Sequence, residues 1–226
     1  MRTGIELILT RAKATRHAQE SIKAGWVWEE KTPEQWDGDI DSLEKLQEVL
    51  STAEIDRNTT RAALDTALLD MHRRTMQGLA MAKVKCRNDP VKLDLLSHLT
   101  SRGDSRAVTA QEAMDWELAW QKIDPAWCPT ANNTLAAFQA LRKQCLDLEA
   151  AFMAAHTNWR NQSEMMNRQA ALLHEANISW YAAATRAFAA GTAEGDTIRR
   201  SIPTIHTPTP APAPVPPPAK IATQSA

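Results

Sequence analysis

Histidine is the side chain that most often binds a metal, and this chain has six of them. They are His17, His72, His98, His156, His174 and His206. In di-iron helical bundles, a glutamate three residues before each histidine places both ligands on the inward face of one helix. None of the six histidines has a glutamate at that position, and the pairs Asp70/His72 and His174/Glu175 do not share a helix face. The sequence therefore predicts ordinary histidines and no metal or other cofactor.

The chain has three cysteines, Cys86, Cys128 and Cys145. An odd number at wide spacing fits neither a disulfide framework nor a zinc knuckle, and it favours a reducing compartment. Cys128 lies in a loop bounded by prolines and is expected to be exposed, but no histidine lies near it in sequence to act as a base. We therefore expect no catalytic role for Cys128, and we expect Cys145 to be a small core residue.

Other sequence patterns that could carry chemistry are either missing or explained by folding. The chain has no glycine-rich phosphate loop and no Gly-x-Ser-x-Gly nucleophile elbow. Arg102-Gly103-Asp104 spells an adhesion tripeptide, but its glycine also lies where a helix is expected to stop. The sequence thus predicts no catalytic, cofactor-binding or metal-binding residue, and a protein that is not an enzyme.

The tryptophans are candidates for stacking on a base or a cofactor. Trp116 and Trp120 are four residues apart, whereas Trp159 and Trp180 fall on one helical seam. Residues at such spacing share a helix face, so we expect these four side chains to pack in a core.

Basic residues are candidates for contacts with phosphates. They cluster between Arg73 and Arg87, with others at Arg11, Lys13, Arg16 and Lys23. The formal net charge of the chain is −1, however, and nucleic-acid binding domains are usually basic overall. We therefore expect a solvated face or ion pairs there, and no nucleic-acid partner.

The elements that position these residues are predicted to be helices. The chain has only 7 glycines and one tyrosine, and good helix formers dominate its composition. Cap and breaker residues divide it into helices over residues 3–24, 33–86, 90–101 and 109–124, and from Thr130 or Asn133 to Gly191. The starts are marked by Thr3, by capping boxes at Thr32–Gln35 and Thr109–Glu112, and by Asp89-Pro90.

A seven-residue repeat runs along the last of these helices. Its members are Phe138, Leu141, Cys145, Leu148, Phe152, Ala155, Trp159, Gln162, Met166, Gln169, Leu173, Ala176, Trp180, Ala183 and Ala187. The helix over residues 33–86 carries a matching seam: Leu43, Leu46, Leu50, Ala53, Arg57, Thr60, Leu64, Ala67, Met71, Arg74 and Gly78. Such repeats predict coiled-coil packing. We therefore expect an all-α fold, an elongated bundle built on two long antiparallel helices, with the shorter helices packed around them.

The composition changes abruptly near residue 200. Residues 203–218 hold eight of the chain's 12 prolines, a composition that favours an extended chain. The predicted organisation is a helical bundle domain over residues 1–200 and a disordered Pro/Ala-rich tail over residues 201–226.

These features favour a non-catalytic structural or scaffolding protein that uses a helical surface and a proline-rich tether. A protein partner or self-association is expected, and no small-molecule substrate is evident. The alternatives are a membrane-active, pore-forming-like protein, suggested by wide Met- and Ala-rich helix faces, and a nucleic-acid-associated protein. No apolar run of about 18 residues and no signal peptide is found, so we expect a cytoplasmic protein with no membrane partner.

Overall fold

A computed structural model describes residues 2–22, 25–99 and 105–202 of the chain. Within these residues the fold is all-α, as predicted, and contains no strand. The helices are α1 (Arg2–Ile22), α2 (Pro33–Lys85), α3 (Pro90–Ser97), α4 (Arg106–Ile123), α5 (Leu135–Ala187) and α6 (Ala193–Ser201). Four of the sequence predictions lie outside the described residues, namely those on Lys23, the Arg102-Gly103-Asp104 tripeptide, His206 and the tail beyond Ile202.

The start of α2 confirms the predicted capping box. The backbone N–H of Thr32 donates to Oε1 of Gln35 at 2.7 Å, and the backbone N–H of Gln35 donates to Oγ1 of Thr32 at 3.3 Å. This reciprocal pair satisfies two N–H groups that a helix start leaves without a partner. The predicted start of α3 is also confirmed. Asp89 is the N-cap residue, directly before Pro90, and its side chain accepts a hydrogen bond from the backbone N–H of Lys92.

Several helix boundaries differ from the prediction: α1 begins at Arg2 and ends at Ile22, α3 ends at Ser97, and α5 ends at Ala187, four residues before Gly191. The helix predicted to start at Thr109 begins at Arg106, because Ser105 is its N-cap and accepts from the backbone N–H of Val108 at 3.3 Å. Thr109 and Glu112, the predicted capping box, are instead buried residues inside α4. The prediction also missed α6, which Thr192 caps by accepting from the backbone N–H of Gly195.

The described residues fall into two compact units. Of the described residues, those within 2–37 and 173–202 form one unit, and those within 38–172 form the other. The prediction of a single helical domain over residues 1–200 stays a prediction. Ser201 is the last residue of α6 and Ile202 is buried, so helical structure continues to the first position of the predicted tail.

The first unit packs α1 and α6 with the ends of α2 and α5 that it contains. Trp28 and Trp36 are buried here and stack with ring centroids 6.0 Å apart. Trp26 contacts the buried Trp180 edge-on, with centroids 6.2 Å apart. Trp26 and Trp28 of the α1–α2 connector and Trp36 in the first turn of α2 therefore close an apolar core.

The second unit packs α3 and α4 against the parts of α2 and α5 that it contains. Its core centres on Trp116, Trp120 and Phe138, all fully buried. The indole nitrogen of Trp120 donates to the carbonyl oxygen of Trp127 at 3.0 Å, which ties the loop after α4 to this core.

Both predicted seams are confirmed by burial. Every seam residue of α2 is buried or half-buried, and so is every seam residue of α5 from Phe138 to Ala183. Ala187, the last predicted member, is exposed at the end of α5. A seven-residue repeat is buried in this way when a helix packs along its length against others.

Candidate protein-docking surface

The candidate metal ligands of the described residues do not lie close enough together to form a metal site. In the described parts of the chain, no group of three His, Cys, Asp or Glu side chains is placed to hold a metal ion. His72 Nδ1 lies 3.6 Å from Oε2 of the buried Glu112, and this contact joins α2 to α4. His156 stacks between Phe152 and Trp159 along α5, with centroid distances of 6.0 and 5.8 Å. These histidines occupy packing positions.

All three cysteines are free thiols. Cys145 is buried and Cys128 is exposed, as the sequence predicts, and Cys86 is buried as well. Burial raises the pKa of the Cys145 thiol, and the nearby Asp70 carboxylate adds to this effect. A raised pKa keeps Cys145 protonated and unreactive, consistent with a core residue.

Three of the basic residues between Arg73 and Arg87, namely Arg73, Arg74 and Lys85, form ion pairs within the chain. Arg73 and Arg74 both contact the carboxylate of Asp70, at 2.5 and 2.9 Å. Lys85 Nζ lies 2.8 Å from Oδ2 of Asp124. Lys85 is neutralised in its pair, whereas Arg73 and Arg74 share one carboxylate and keep a net positive charge, so these contacts lower but do not remove the positive potential of this stretch.

The basic residues of α1 are engaged in a similar way. Arg16 contacts Asp37 at 2.9 Å, and its hydrogen bond to that carboxylate raises the pKa of the guanidinium. Arg11 is buried, and its guanidinium carbon lies 5.5 Å from the centroid of the Tyr181 ring. Burial lowers the pKa of Arg11, with an opposing contribution from Tyr181.

A cavity of about 200 Å³ lies between α2, α4 and α5. Its walls are mainly apolar and include Leu64, Leu68, Met71, Met114 and Leu146. Two arginines also line this cavity, and each already has an acidic partner. Arg106 lies 2.7 Å from Asp65 and over the ring of Phe152, and Arg142 lies 2.6 Å from the buried Glu117. The Arg142–Glu117 contact is an ion pair and not a hydrogen bond, because the Nε–H does not point at the oxygen. Since both guanidiniums are neutralised, the cavity has no unpaired cation among its arginines to select an anionic ligand.

Helices α2 and α5 run antiparallel in the second unit. Asp39 accepts a 3.3 Å hydrogen bond from Gln169, whereas further along α2 the guanidinium of Arg57 lies 4.1 Å from the Trp159 ring centroid. Near the other end, Arg74 donates to the carbonyl oxygen of Asn132 at 3.2 Å. Rising numbers on α2 thus pair with falling numbers on α5, as predicted.

An antiparallel helix pair has two flanks, one on each side of its seam. Helix α4 covers one of them in this unit. Its residues Ala107, Ala110 and Met114 line the 200 Å³ cavity together with Leu68 of α2 and Arg142 of α5. Leu68 and Arg142 each directly follow a seam residue. Helix α4 therefore packs on the side of the seam to which the residues following seam positions point.

The opposite side is here called the open flank. It consists of the residues that directly precede every second seam residue: Ser42, Val49, Asp56, Ala63 and Asp70 on α2, and Gln144, Ala151, Asn158, Met165 and Leu172 on α5. Eight of these ten residues are exposed, and Ser42 and Asp70 are half-buried. No described helix of this unit covers them.

Two grooves lie along the open flank. The larger, of about 800 Å³, is lined by Ala62, Ala63, Thr66, Ala67, Leu69, Asp70, Arg73, Arg74, Leu141 and Gln144. The other, of about 390 Å³, is lined by Gly38, Asp41, Ser42, Lys45, Leu46 and Val49. Val49 is 45% exposed, and Met165 and Leu172 on α5 are 52% and 56% exposed. Small side chains beside exposed apolar ones suit the close approach of another helix.

The sequence predicts the seams but not this flank. The two alanines and the methionine of the open flank look like ordinary helix formers until the structure shows which side α4 covers. The prediction that four tryptophans pack in a core holds fully for three of them. Trp116, Trp120 and Trp180 are fully buried, whereas Trp159 is half-buried beneath Arg57.

None of the described helices combines the length and the apolar character that crossing a bilayer requires. The chain matches no protein-family model, no curated protein and no solved structure.

Proposed function

We propose that this chain is a non-catalytic scaffolding protein that binds a helix of a protein partner along the open flank. The observation that carries the proposal is the pair of grooves on one side of α2 and α5, with no helix of this unit seated in them. Helix α4 already occupies the other side of the same two helices. The open flank therefore offers a second helix a packing surface comparable with the one that α4 occupies.

The side chains of the larger groove support a helical occupant. Ala62 and Ala63 are small, exposed side chains in the wall of this groove, and the buried Ala67 lines it about one helical turn further along α2. Helices pack with their axes 8–10 Å apart, and the shorter distances need small residues at the contact. Leu69 and Leu141 add apolar area to the walls.

The ionisable residues support a binding role over a catalytic one. The buried carboxylate of Glu117 lies beside Arg142 and accepts hydrogen bonds from Gln121 and Gln139 at 3.1 and 2.9 Å. Such a carboxylate is held in place by neighbours on α4 and α5. A general base needs a carboxylate that faces a substrate.

The location and the tail are part of the proposal. Three free thiols, one of them exposed, suit a reducing compartment such as the cytoplasm. We infer that the proline-rich segment beyond residue 202 serves as a spacer or tether for the helical part.

Two adjacent alanines of α5 provide the test. Ala151 belongs to the open flank, whereas Ala150 is the exposed residue directly before it and points away from the seam. Ala151→Arg should place a long charged side chain in the path of a docking helix, and Ala150→Arg should not. Crosslinking mass spectrometry in native cells is carried out on the wild type and on both variants.

The expected result is a set of crosslinks to α2 and α5 beside the open flank that Ala151→Arg removes and Ala150→Arg keeps. Circular dichroism checks that both variants keep the wild-type helix content. Equal crosslinking of the two variants would contradict the proposal, and so would a wild-type chain that shows no intermolecular crosslink.

A further inference from the structure

We propose that the helix docked on the open flank is α2 of a second copy of this chain, arranged antiparallel to the first by a two-fold axis. This inference rests on the proposed function and names its partner. It uses only residues of the second unit.

Charge along α2 is the first argument. Residues 38–48 carry four acidic residues and one lysine. Residues 67–77, which lie opposite them in the register given below, carry the basic residues Arg73 and Arg74 and one acidic residue, Asp70. Two antiparallel copies place the acidic part of each α2 beside the basic part of the other, whereas two parallel copies would place like charges together. The charge pattern therefore selects the antiparallel arrangement.

The residues that line the two grooves give the register. A two-fold axis that passes α2 near residues 57 and 58 places Asp41 beside Arg73 of the second copy. The same axis places Lys45 beside Asp70 of the second copy, and Val49 beside Thr66. Each of these residues lines one of the two grooves. The smaller groove of one copy thus faces the larger groove of the other, with opposite charges paired twice in each half of the interface.

The size of the surface is the third argument. The grooves span residues 38–74 of α2, which corresponds to about 55 Å of helix at 1.5 Å per residue. A strip of that length and about 10 Å wide covers roughly 550 Å² on each copy, or about 1,100 Å² in total. Met165 and Leu172 on the neighbouring helix add further exposed apolar area. This total lies near the lower end for specific interfaces, so we expect a dimer that dissociates on dilution.

Two charge reversals test this register. In Asp41→Lys, the new lysine lies beside Arg73 of the second copy. In Arg73→Glu, the new glutamate lies beside Asp41 of the second copy. Each variant alone has two repulsive contacts per dimer, so we expect its dissociation constant to rise at least about 10-fold above that of the wild type.

A mixture of the two variants is the decisive sample. A heterodimer of Asp41→Lys with Arg73→Glu has a lysine beside a glutamate at one contact and the native pair at the other. We therefore expect the mixture to dimerise to within about 3-fold of the wild type, and the double variant Asp41→Lys/Arg73→Glu to do the same. Sedimentation-velocity ultracentrifugation over a range of concentrations measures all five samples.

Asp94→Lys is the matched control. Asp94 is a highly exposed carboxylate on α3, 79% exposed at its side chain, and it lines neither groove. The same charge change at this position should leave the dimer unchanged. A loss of dimer in this variant equal to that in Asp41→Lys would overturn the register, since net charge alone would then explain the effect.

The outcomes separate this inference from the proposed function. A wild-type dimer that neither reversal weakens, or a mixture that fails to recover, overturns the second-copy register. A wild-type monomer at all concentrations overturns the inference as well. If crosslinks that Ala151→Arg removes then lead to a different protein, the proposed function stands without the inference. A monomer without such crosslinks contradicts both.

Discussion

The indole nitrogen of Trp36 donates a 2.8 Å hydrogen bond to Oε1 of Gln19, and both side chains are buried. The same amide donates from Nε2 to the carbonyl oxygen of Lys31 at 2.7 Å. One side chain of α1 thus satisfies two groups near the start of α2. Fully satisfied polar groups of this kind fix the arrangement of the elements that share them.

We expect Gln19→Leu to destabilise the protein. The substitution leaves the Trp36 N–H and the Lys31 carbonyl without their partner, and a buried group left unpaired costs about 1–3 kcal/mol. The free energy of unfolding should fall by roughly 2–3 kcal/mol in urea denaturation followed by circular dichroism. Unchanged stability would mean that water replaces the amide.

We expect Asn177→Leu, in contrast, to stabilise the protein. Asn177 is fully buried on α5, and neither its Oδ1 nor its Nδ2 has a hydrogen-bond partner among the described residues. Replacing an unsatisfied amide by an apolar group removes its desolvation cost, so the free energy of unfolding should rise by about 1–2 kcal/mol. The same urea titration measures this change in the free energy of unfolding. A loss of stability would show that Asn177 has a bound partner.

The glycines of α2 provide a matched pair. A Cβ at Gly78 would lie 2.5 Å from Cζ2 of the fully buried Trp116, whereas a Cβ at Gly38 has nothing within 4 Å. Ala is favoured over Gly in a helix by about 1 kcal/mol, so Gly38→Ala should raise the melting temperature. Gly78→Ala should lower it, because the indole is held by the core and overpacking costs about 1–3 kcal/mol. Differential scanning calorimetry compares the two, and a rise in both would mean that Trp116 can move.

A pH dependence follows from Asp124, the C-cap residue of α4. The hydrogen bond from Lys85 holds the pKa of this carboxyl below its ordinary value of 3.8, and the backbone N–H of Ala126 contributes in the same direction. A lowered pKa in the folded state contributes stability above the unfolded pKa, and this contribution is lost as the pH falls through the folded pKa. We expect Asp124→Asn to be less stable than the wild type at pH 7.

The stability difference between Asp124→Asn and the wild type should shrink as the pH falls below 3.8, because protonation then makes the wild-type carboxyl neutral, like the amide of the variant. Denaturant titrations over the acidic range measure this difference. A difference that stays constant down to about pH 2 would show that the Lys85 contact does not depend on the charge of Asp124.

The sequence predicts those parts of the fold that local patterns encode. The capping box at Thr32 and Gln35 forms the two hydrogen bonds that its spacing requires. The seams are readable because burial of a helix against others repeats every seven residues. The exposure of Cys128 follows from its loop between two prolines.

Other parts depend on contacts that no local pattern contains. Ser105 and Thr109 both resemble N-caps, and burial of Thr109 in the core leaves the cap to Ser105. Helix α6 is short, and its Ile198 is fully buried in the first unit. The open flank could not be predicted, because its identity depends on the side that α4 occupies.

The coverage by α4 has a consequence for the motions of the second unit. Helix α4 begins at Arg106, beside Asp65 and Phe152, and from there it follows α2 toward Lys85. Among the described residues, the part of α2 in this unit that precedes Asp65 therefore packs on α5 without a third helix of the unit. Segments with fewer buried contacts open locally at a lower free energy than the rest of a domain. We thus expect this segment of α2 and α5 to unfold locally and refold many times for each global unfolding event. It would then behave as a separate cooperative unit within one continuous pair of helices.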